Sequence, residues 1–426
     1  MMSSTTSDFT ETAPEGAEDP QPPVKGLRRL FIWIIPANIA IFILWGSILG
    51  ILLPAQIAGI DPAHKVANLA IIATVGAFAA MIGQPIAGLL SDRTRSRFGR
   101  RSGWIIGGAI VGGLGLIGMA ASSTIVEVGI AATIMQVAYN FAQGPLSAVL
   151  PDRVPRKSRG TFSALSGLGL MLGALGGQIL GSKLAANIPV GYLFLAGFSL
   201  ILLALFVIFN PDRSSKEQVN EPFSLSVFLH TFWVSPTKHP DFFWAFTGRL
   251  LLYTGYFMVT GYQLYILTDY IGLGSQGALA AIPLFGIASL AGILVSIVVA
   301  GPLSDRIGRR KPFIFASSIL VGVSLLIPMV MPTFTGWLLF TVLSGLGFGA
   351  FQAVDQALMS EVLPSAASFG KDLGVVNIAA TLPQTIAPAV AGFIILSFGG
   401  YIALFLIGIA LSILGAFAVW FIKSVK

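Results

Sequence analysis

The chain is predicted to be an all-α membrane protein, with about twelve transmembrane helices in two six-helix bundles related by a pseudo-two-fold axis. Three observations carry that prediction. Hydrophobic residues fill 55% of the 426 positions and charged residues only 10%, where a soluble domain is about one quarter charged. Apolar runs of spanning length, about 17–25 residues, recur from end to end. One charged motif also occurs twice, about 210 residues apart, which is the size of half a protein rather than of a solenoid unit.

In chain order, residues 1–29 are rich in Ser, Thr, Pro and acidic groups and lack the apolar core of a secretory signal; they read as a disordered cytoplasmic tail. The first bundle, 30–210, holds spans at about 31–54, 66–90, 103–122, 127–150, 162–184 and 190–209. The polar stretch 211–241 reads as a cytoplasmic linker. The second bundle, 242–426, holds spans at about 243–267, 278–301, 312–331, 335–359, 373–397 and 400–422. Glycine and proline lie inside most of these runs, which membrane helices tolerate when neighbours re-satisfy the backbone.

Orientation follows from the basic residues. With the N-terminus inside, all 25 Lys and Arg except Lys65 and Lys183 fall on the inner side. That bias predicts both termini in the cytoplasm and a multi-pass protein of the plasma membrane. Six spans per half make the repeats parallel and place a cargo site near the midplane between them. The net charge of +7 sits in short loops rather than in a patch, so no nucleic-acid partner is expected. Cysteine is absent, which excludes disulfides and thiol chemistry. With no nucleotide loop, metal-ligand spacing or nucleophile–base set, no enzyme activity, cofactor or metal is expected. The expected partners are a small-molecule cargo, the bilayer and protons, with the monomer as the working unit.

The repeated motif reads G-L-L-S-D-R-T-R-S-R-F-G-R-R from Gly88 and G-P-L-S-D-R-I-G-R-R from Gly301. Gly88, Asp92 and Arg93 align with Gly301, Asp305 and Arg306. After a four-residue insertion, Gly99, Arg100 and Arg101 align with Gly308, Arg309 and Arg310. A second block matches Gln143 through Asp152 with Gln352 through Glu361. A carboxylate at the inner end of a span can pair with the following arginines or with a positive helix N-terminus. Asp92 and Asp305 are therefore expected to dock on helix starts of the opposite half and latch the cytoplasmic side. Asp152 and Glu361 are expected to hold Arg100/Arg101 and Arg309/Arg310. Such exposed pairs are worth about 0–1 kcal/mol, which suits a latch that opens every cycle. Loops that merely fix topology would need positive charge alone.

This two-copy pattern resembles the loop signature of the major facilitator superfamily, over residues 30–422. The form with the insertion, together with Gln143-Gly144-Pro145 … Asp152, resembles the sucrose–proton symporters and the glycoside–pentoside–hexuronide cation symporters. The resemblance implies the major facilitator fold and secondary transport. It does not carry proton-coupled sucrose transport, because those symporters have an acid in the first span and an arginine in the fourth. Here Phe31–Pro54 has neither, and Ser147 stands at the arginine position.

Polar residues on one helical face should face protein or a cavity, because lipid would be costly. Gln136, Tyr139, Asn140 and Gln143 share such a stripe in the fourth span. Gln352, Asp355 and Gln356 do so in the tenth, Asn377, Thr381 and Gln384 in the eleventh, and Tyr256 and Gln263 in the seventh. Asn38 and Trp45 lie seven apart in the first. Asp355, the carboxylate inside a span, is a candidate for coupling or cargo binding; it could instead join Glu361 and the arginine cluster as structure. Arg249 reads as a snorkelling side chain, Tyr253 as an interface anchor, and Glu127 and Asp269 as solvated outer residues. Gly169, Gly173, Gly177 and Gly181 allow close helix approach, within the bundle or at a dimer interface. The function expected is secondary active transport by alternating access of a neutral polar solute such as a sugar or glycoside, coupled to protons. The alternative is export of drug-like or amphiphilic compounds, given the 31 phenylalanines.

Overall fold

The computed structural model describes residues 26–155, 158–212, 214–216, 239–362 and 369–424, without the side chains of 84, 85, 356, 360, 361, 369–381 and 385. The expected tail and most of the expected linker lie outside the described residues. Twelve long helices follow one another among those that are described. They are α1 (Leu27–Ile60), α2 (Lys65–Arg93), α3 (Ser102–Ala121) and α4 (Ile125–Arg153). Next come α5 (Arg159–Leu184), α6 (Ile188–Phe209) and α7 (Pro240–Gly261, continued past a break at Tyr262 by Gln263–Tyr265 and Ile266–Tyr270). The series closes with α8 (Gly274–Ile307), α9 (Lys311–Val330), α10 (Phe334–Glu361), α11 (Phe369–Ser397) and α12 (Tyr401–Ala418). Both copies of the charged motif lie at one end of the molecule, the basic end; the short turns at 61–64 and 271–273 lie at the opposite end.

The packing repeats as a duplication demands. In the first bundle α1 packs on α5 and α6, α2 on α4, and α3 on α4 and α6. In the second, α7 packs on α11 and α12, α8 on α10, and α9 on α10 and α12. The bundles meet where α2 packs on α11 and α5 on α8. Apolar stripes stay exposed on the surface: along α2, Ile71, Val75, Phe78 and Ile82 run three or four residues apart. Water would penalise that stripe, and hydrocarbon does not.

Helices α1 and α7, symmetry mates, both lose regular α geometry. Trp45–Leu52 and Ile266–Tyr270 are wound as π-helix, and α7 is also broken at Tyr262. π segments shift side-chain register and are frequent where a helix does more than pack.

The glycine stripe of α5 faces α1 rather than a second copy. A Cβ at Gly177 would lie 2.5 Å from the Ile43 carbonyl oxygen, and one at Gly181 2.9 Å from Ser47 Cα. These neighbours are backbone and cannot turn aside. Gly177→Leu is therefore expected to stop folded protein accumulating in the membrane, read as the loss of the monodisperse peak after solubilisation. Gly176→Leu, where a Cβ meets nothing within 4 Å, should leave that peak in place.

Candidate functional site

At the opposite end the two bundles are closed on each other. The turns of α7 that follow its break bury Tyr262, Tyr265, Ile266 and Leu267 almost completely. The Tyr265 hydroxyl donates to the Pro54 carbonyl of α1 at 2.9 Å. Lys65 Nζ at the start of α2 is 2.7 Å from Asp269 Oδ1 and 5.1 Å from the Tyr265 ring centroid. The Tyr401 hydroxyl donates to the other Asp269 oxygen at 2.9 Å. Asp269, expected to be solvated, is thus the acid that joins α2 to the second bundle. With both partners partly exposed, the ion pair is worth at most about 1 kcal/mol.

At the basic end the motif folds back on its own bundle. Arg101 is buried and serves three acceptors: Asp152 Oδ2 from Nε at 2.9 Å, Asp92 Oδ1 from Nη2 at 2.5 Å, and Ser91 Oγ from Nη1 at 2.7 Å. Arg100 Nη2 takes the other Asp152 oxygen at 2.6 Å. Asp152 therefore holds both arginines, as its position suggested. Gly99 and Gly308 both have positive φ, 84° and 66°, which explains why each copy carries glycine before its arginine pair. A Cβ on Gly99 would also strike Asp212, whose carboxylate accepts the Arg101 backbone N–H at 3.1 Å. In the second copy Arg310 Nη1 is 3.4 Å from Asp305 Oδ1, and Lys311 Nζ donates to the Ile422 carbonyl. The Glu361 side chain lies outside the described residues.

Among the described residues, neither Asp92 nor Asp305 makes the expected docking on the opposite bundle in this conformation; the side chains at the start of α11 lie outside them. Both pair within their own loops, and their side chains are 55% and 68% exposed. The first turn of α5 is exposed at Gly160 and Thr161. A Cβ at Gly88 would meet nothing within 4 Å, and one at Gly301 would reach only Ala353 of its own bundle. What joins the bundles in this conformation is the closure just described, at the end away from the motif.

Between the ends, α4 presents Asn140 and Gln143 half-buried and Ser147 exposed, with Gln136 buried one turn further in. Gln136 lies against α2, where a Cβ on Gly76 would be 2.5 Å from its Oε1. Tyr139 departs from this face. It is fully buried, and its hydroxyl is 2.6 Å from Ser199 Oγ of α6. At about 100° per residue it points about 70° away from the centre of the 136–140–143–147 stripe. Asn38 donates to the Ile34 carbonyl of its own helix at 2.9 Å and stands beside Gly169 of α5. Trp45 is partly buried where the α1 π segment opens.

On the other side, Tyr256 stacks on Phe348 of α10, with centroids 4.3 Å apart and planes at 16°. Tyr253 is no interface anchor: it is buried against Phe348 and Phe351. Gln263 and Gln352 are half-buried, and Gln384 is exposed. The side chains of Gln356 and Asn377 are among those not described.

Arg249 does not snorkel. Its Nη2 lies 2.6 Å from Asp355 Oδ2, with side chains 1% and 2% exposed, inside the second bundle. Trp244, Phe351, Leu358 and Val419 help enclose the pair. The partner of Asp355 among the described side chains is therefore on α7; the expected alternative, Glu361, lies outside them. Sequence reasoning missed this pairing, as it missed Tyr262, Tyr265 and the role of Asp269. A signal existed in that one buried acid needs one buried base, and Arg249 was the intramembrane base at hand.

Comparison with known proteins agrees with this architecture. The family model described as Major Facilitator Superfamily matches residues 34–300 and 290–426. The MFS transporter asaE of Aspergillus flavus is 28% identical over 324 residues, covering 74% of this chain and 68% of that protein. A solved variant of the nucleoside transporter NupG superposes with TM-score 0.72 at 16% identity, over 92% of this chain and 99% of that one. The D-xylose–proton symporter gives 0.69 at 16%, over 93% and 97%. An inward-facing, unoccupied bacterial homologue of the human lysosomal transporter Spinster gives 0.62 at 12%, over 94% and 95%.

Proposed function

The chain belongs to the Major Facilitator Superfamily, and from that premise we propose that it carries a neutral polar solute, of the sugar or glycoside kind, across the plasma membrane by alternating access. The observation that carries the cargo reading is the α4 stripe. Its amides and hydroxyl offer donors and acceptors without charge, which suits hydroxylated cargo better than ions. The structural neighbours named for a nucleoside and for xylose also handle uncharged polar solutes, though at 16% identity they lend only the fold.

The basic end is placed in the cytoplasm by the positive-inside bias, so this conformation opens inward. Coupling to protons is assigned to Asp355. Among the described residues it is the carboxylate buried within a span, and proton uptake would release Arg249 from its partner. A second reading, an exporter of amphiphilic aromatic compounds, is favoured by the aromatic cluster of Tyr253, Tyr256, Phe257 and Phe348 on α7 and α10.

A thermal-shift panel of sugars, glycosides and amphiphilic drugs separates the two. A ligand at a hundred times its Kd stabilises the folded state by about 2.7 kcal/mol. A sugar or glycoside should raise the melting temperature, and Asn140→Ala with Gln143→Ala should abolish the rise. A rise with amphiphiles alone, lost in Tyr256→Ala, would replace the first reading with the second.

A further inference from the structure

Tyr262 stands at the break in α7. Its hydroxyl lies 3.4 Å from the Val66 carbonyl of α2 and 3.2 Å from the Pro388 carbonyl of α11, so its proton bridges two helices of different bundles. One turn along each helix, Ala70 and Gly392 meet. A Cβ built on Gly392 would fall on the Ala70 Cβ and 2.9 Å from the Tyr262 hydroxyl. The Ala70 methyl has no torsion with which to turn aside, so a side chain at 392 must push the helices apart. The symmetry-related contact of α5 with α8 is softer. There a Cβ on Gly286 would meet Gln178 Oε1, the far end of a side chain that can rotate away.

We propose that Tyr262, Ala70 and Gly392 form a clasp that sets how completely the opposite end closes, and that these three are positioning residues of the transport cycle. The glycine lets the bundles touch, and the tyrosine pins two backbone carbonyls a turn away. Gly286 with Gln178 follows this closure without limiting it. The inference rests on alternating access and not on the cargo or the coupling assigned above.

The native chain has no cysteine, so single introduced thiols report without background. Ser182→Cys is nearly isosteric, and its Oγ is buried one turn beyond Gln178 on α5. Thr161→Cys is exposed at the basic end of the same helix. Membrane-impermeant maleimide is applied to each side of proteoliposomes holding the full chain. Gly392→Ala should raise labelling at 182 about tenfold and slow it at 161, and Tyr262→Phe should do the same a few-fold. Ala70→Gly added to Gly392→Ala should restore both rates, and Gly286→Ala should change neither. Unchanged rates in Gly392→Ala, no reversal by Ala70→Gly, or faster labelling at both positions, as unfolding would give, each overturn the clasp.

Discussion

Asp355→Asn should destabilise the protein by about 3–5 kcal/mol, because it leaves the Arg249 guanidinium buried without a counter-charge. The two side chains are 1% and 2% exposed and 2.6 Å apart, so water cannot make good the loss. Arg249→Met should cost a similar amount by stranding the carboxylate. The double variant Arg249→Met with Asp355→Leu should recover most of that loss, since apolar replacement of a buried pair is often neutral or better. Melting temperatures of the four proteins in one detergent check this ordering. Transport separates structure from coupling. The folded double variant should exchange cargo down its gradient yet fail to accumulate it against one under a proton gradient. Accumulation equal to that of the native chain would leave Asp355 a purely structural group.

Arg101→Ala should cost about 2–3 kcal/mol, the second-largest effect expected. Hydrogen bonds to charged groups are worth about 1.5–3 kcal/mol where desolvated, and Arg101 is 6% exposed while serving two carboxylates and a hydroxyl. Arg101→Lys should not restore the loss, because a point charge cannot span three acceptors held by a planar fork. Asp305→Asn should cost less: Asp305 is 68% exposed and its pair with Arg310 is 3.4 Å long. Half-lives at elevated temperature in detergent should therefore rank native and Asp305→Asn well above Arg101→Ala. Equal losses in the two variants would mean that the motif pairs act through charge alone.

The spans were legible because hydrocarbon imposes one length and one polarity on every helix. The duplication was legible because Gly99 and Gly308 meet the same backbone requirement, a left-handed turn, in both copies. The Asp152 pairs were legible because the arginines have few other acids within reach. Arg249 was not, since it is bonded to a residue 106 positions later and a lone arginine near a helix start looks the same whether it faces water or a buried acid. Tyr139 was misplaced because a 136–143 stripe fixes a face only to within about 100°, and neighbours on α6 decide the rest. The closure at the opposite end left no local pattern at all. Gly392, Ala70 and Tyr262 are ordinary in their own helices and acquire meaning only where three helices cross. Nor can a sequence say which end of a two-state carrier is shut, so the motif acids were expected to be docked although this conformation leaves them in their own loops.

Alternating access requires the two six-helix bundles to pivot so that one end closes as the other opens. Spin labels test it directly, as two pairs of distances measured by pulsed electron resonance. One pair, at Arg95→Cys and Ile307→Cys, spans the basic end; the other, at Ser123→Cys and Thr335→Cys, spans the opposite end, all four sites being exposed. On adding a ligand from the thermal-shift panel, or on introducing Gly392→Ala, the basic-end distance should shorten while the opposite-end distance lengthens. Two distances that stay fixed, or that change in the same direction, would contradict the account.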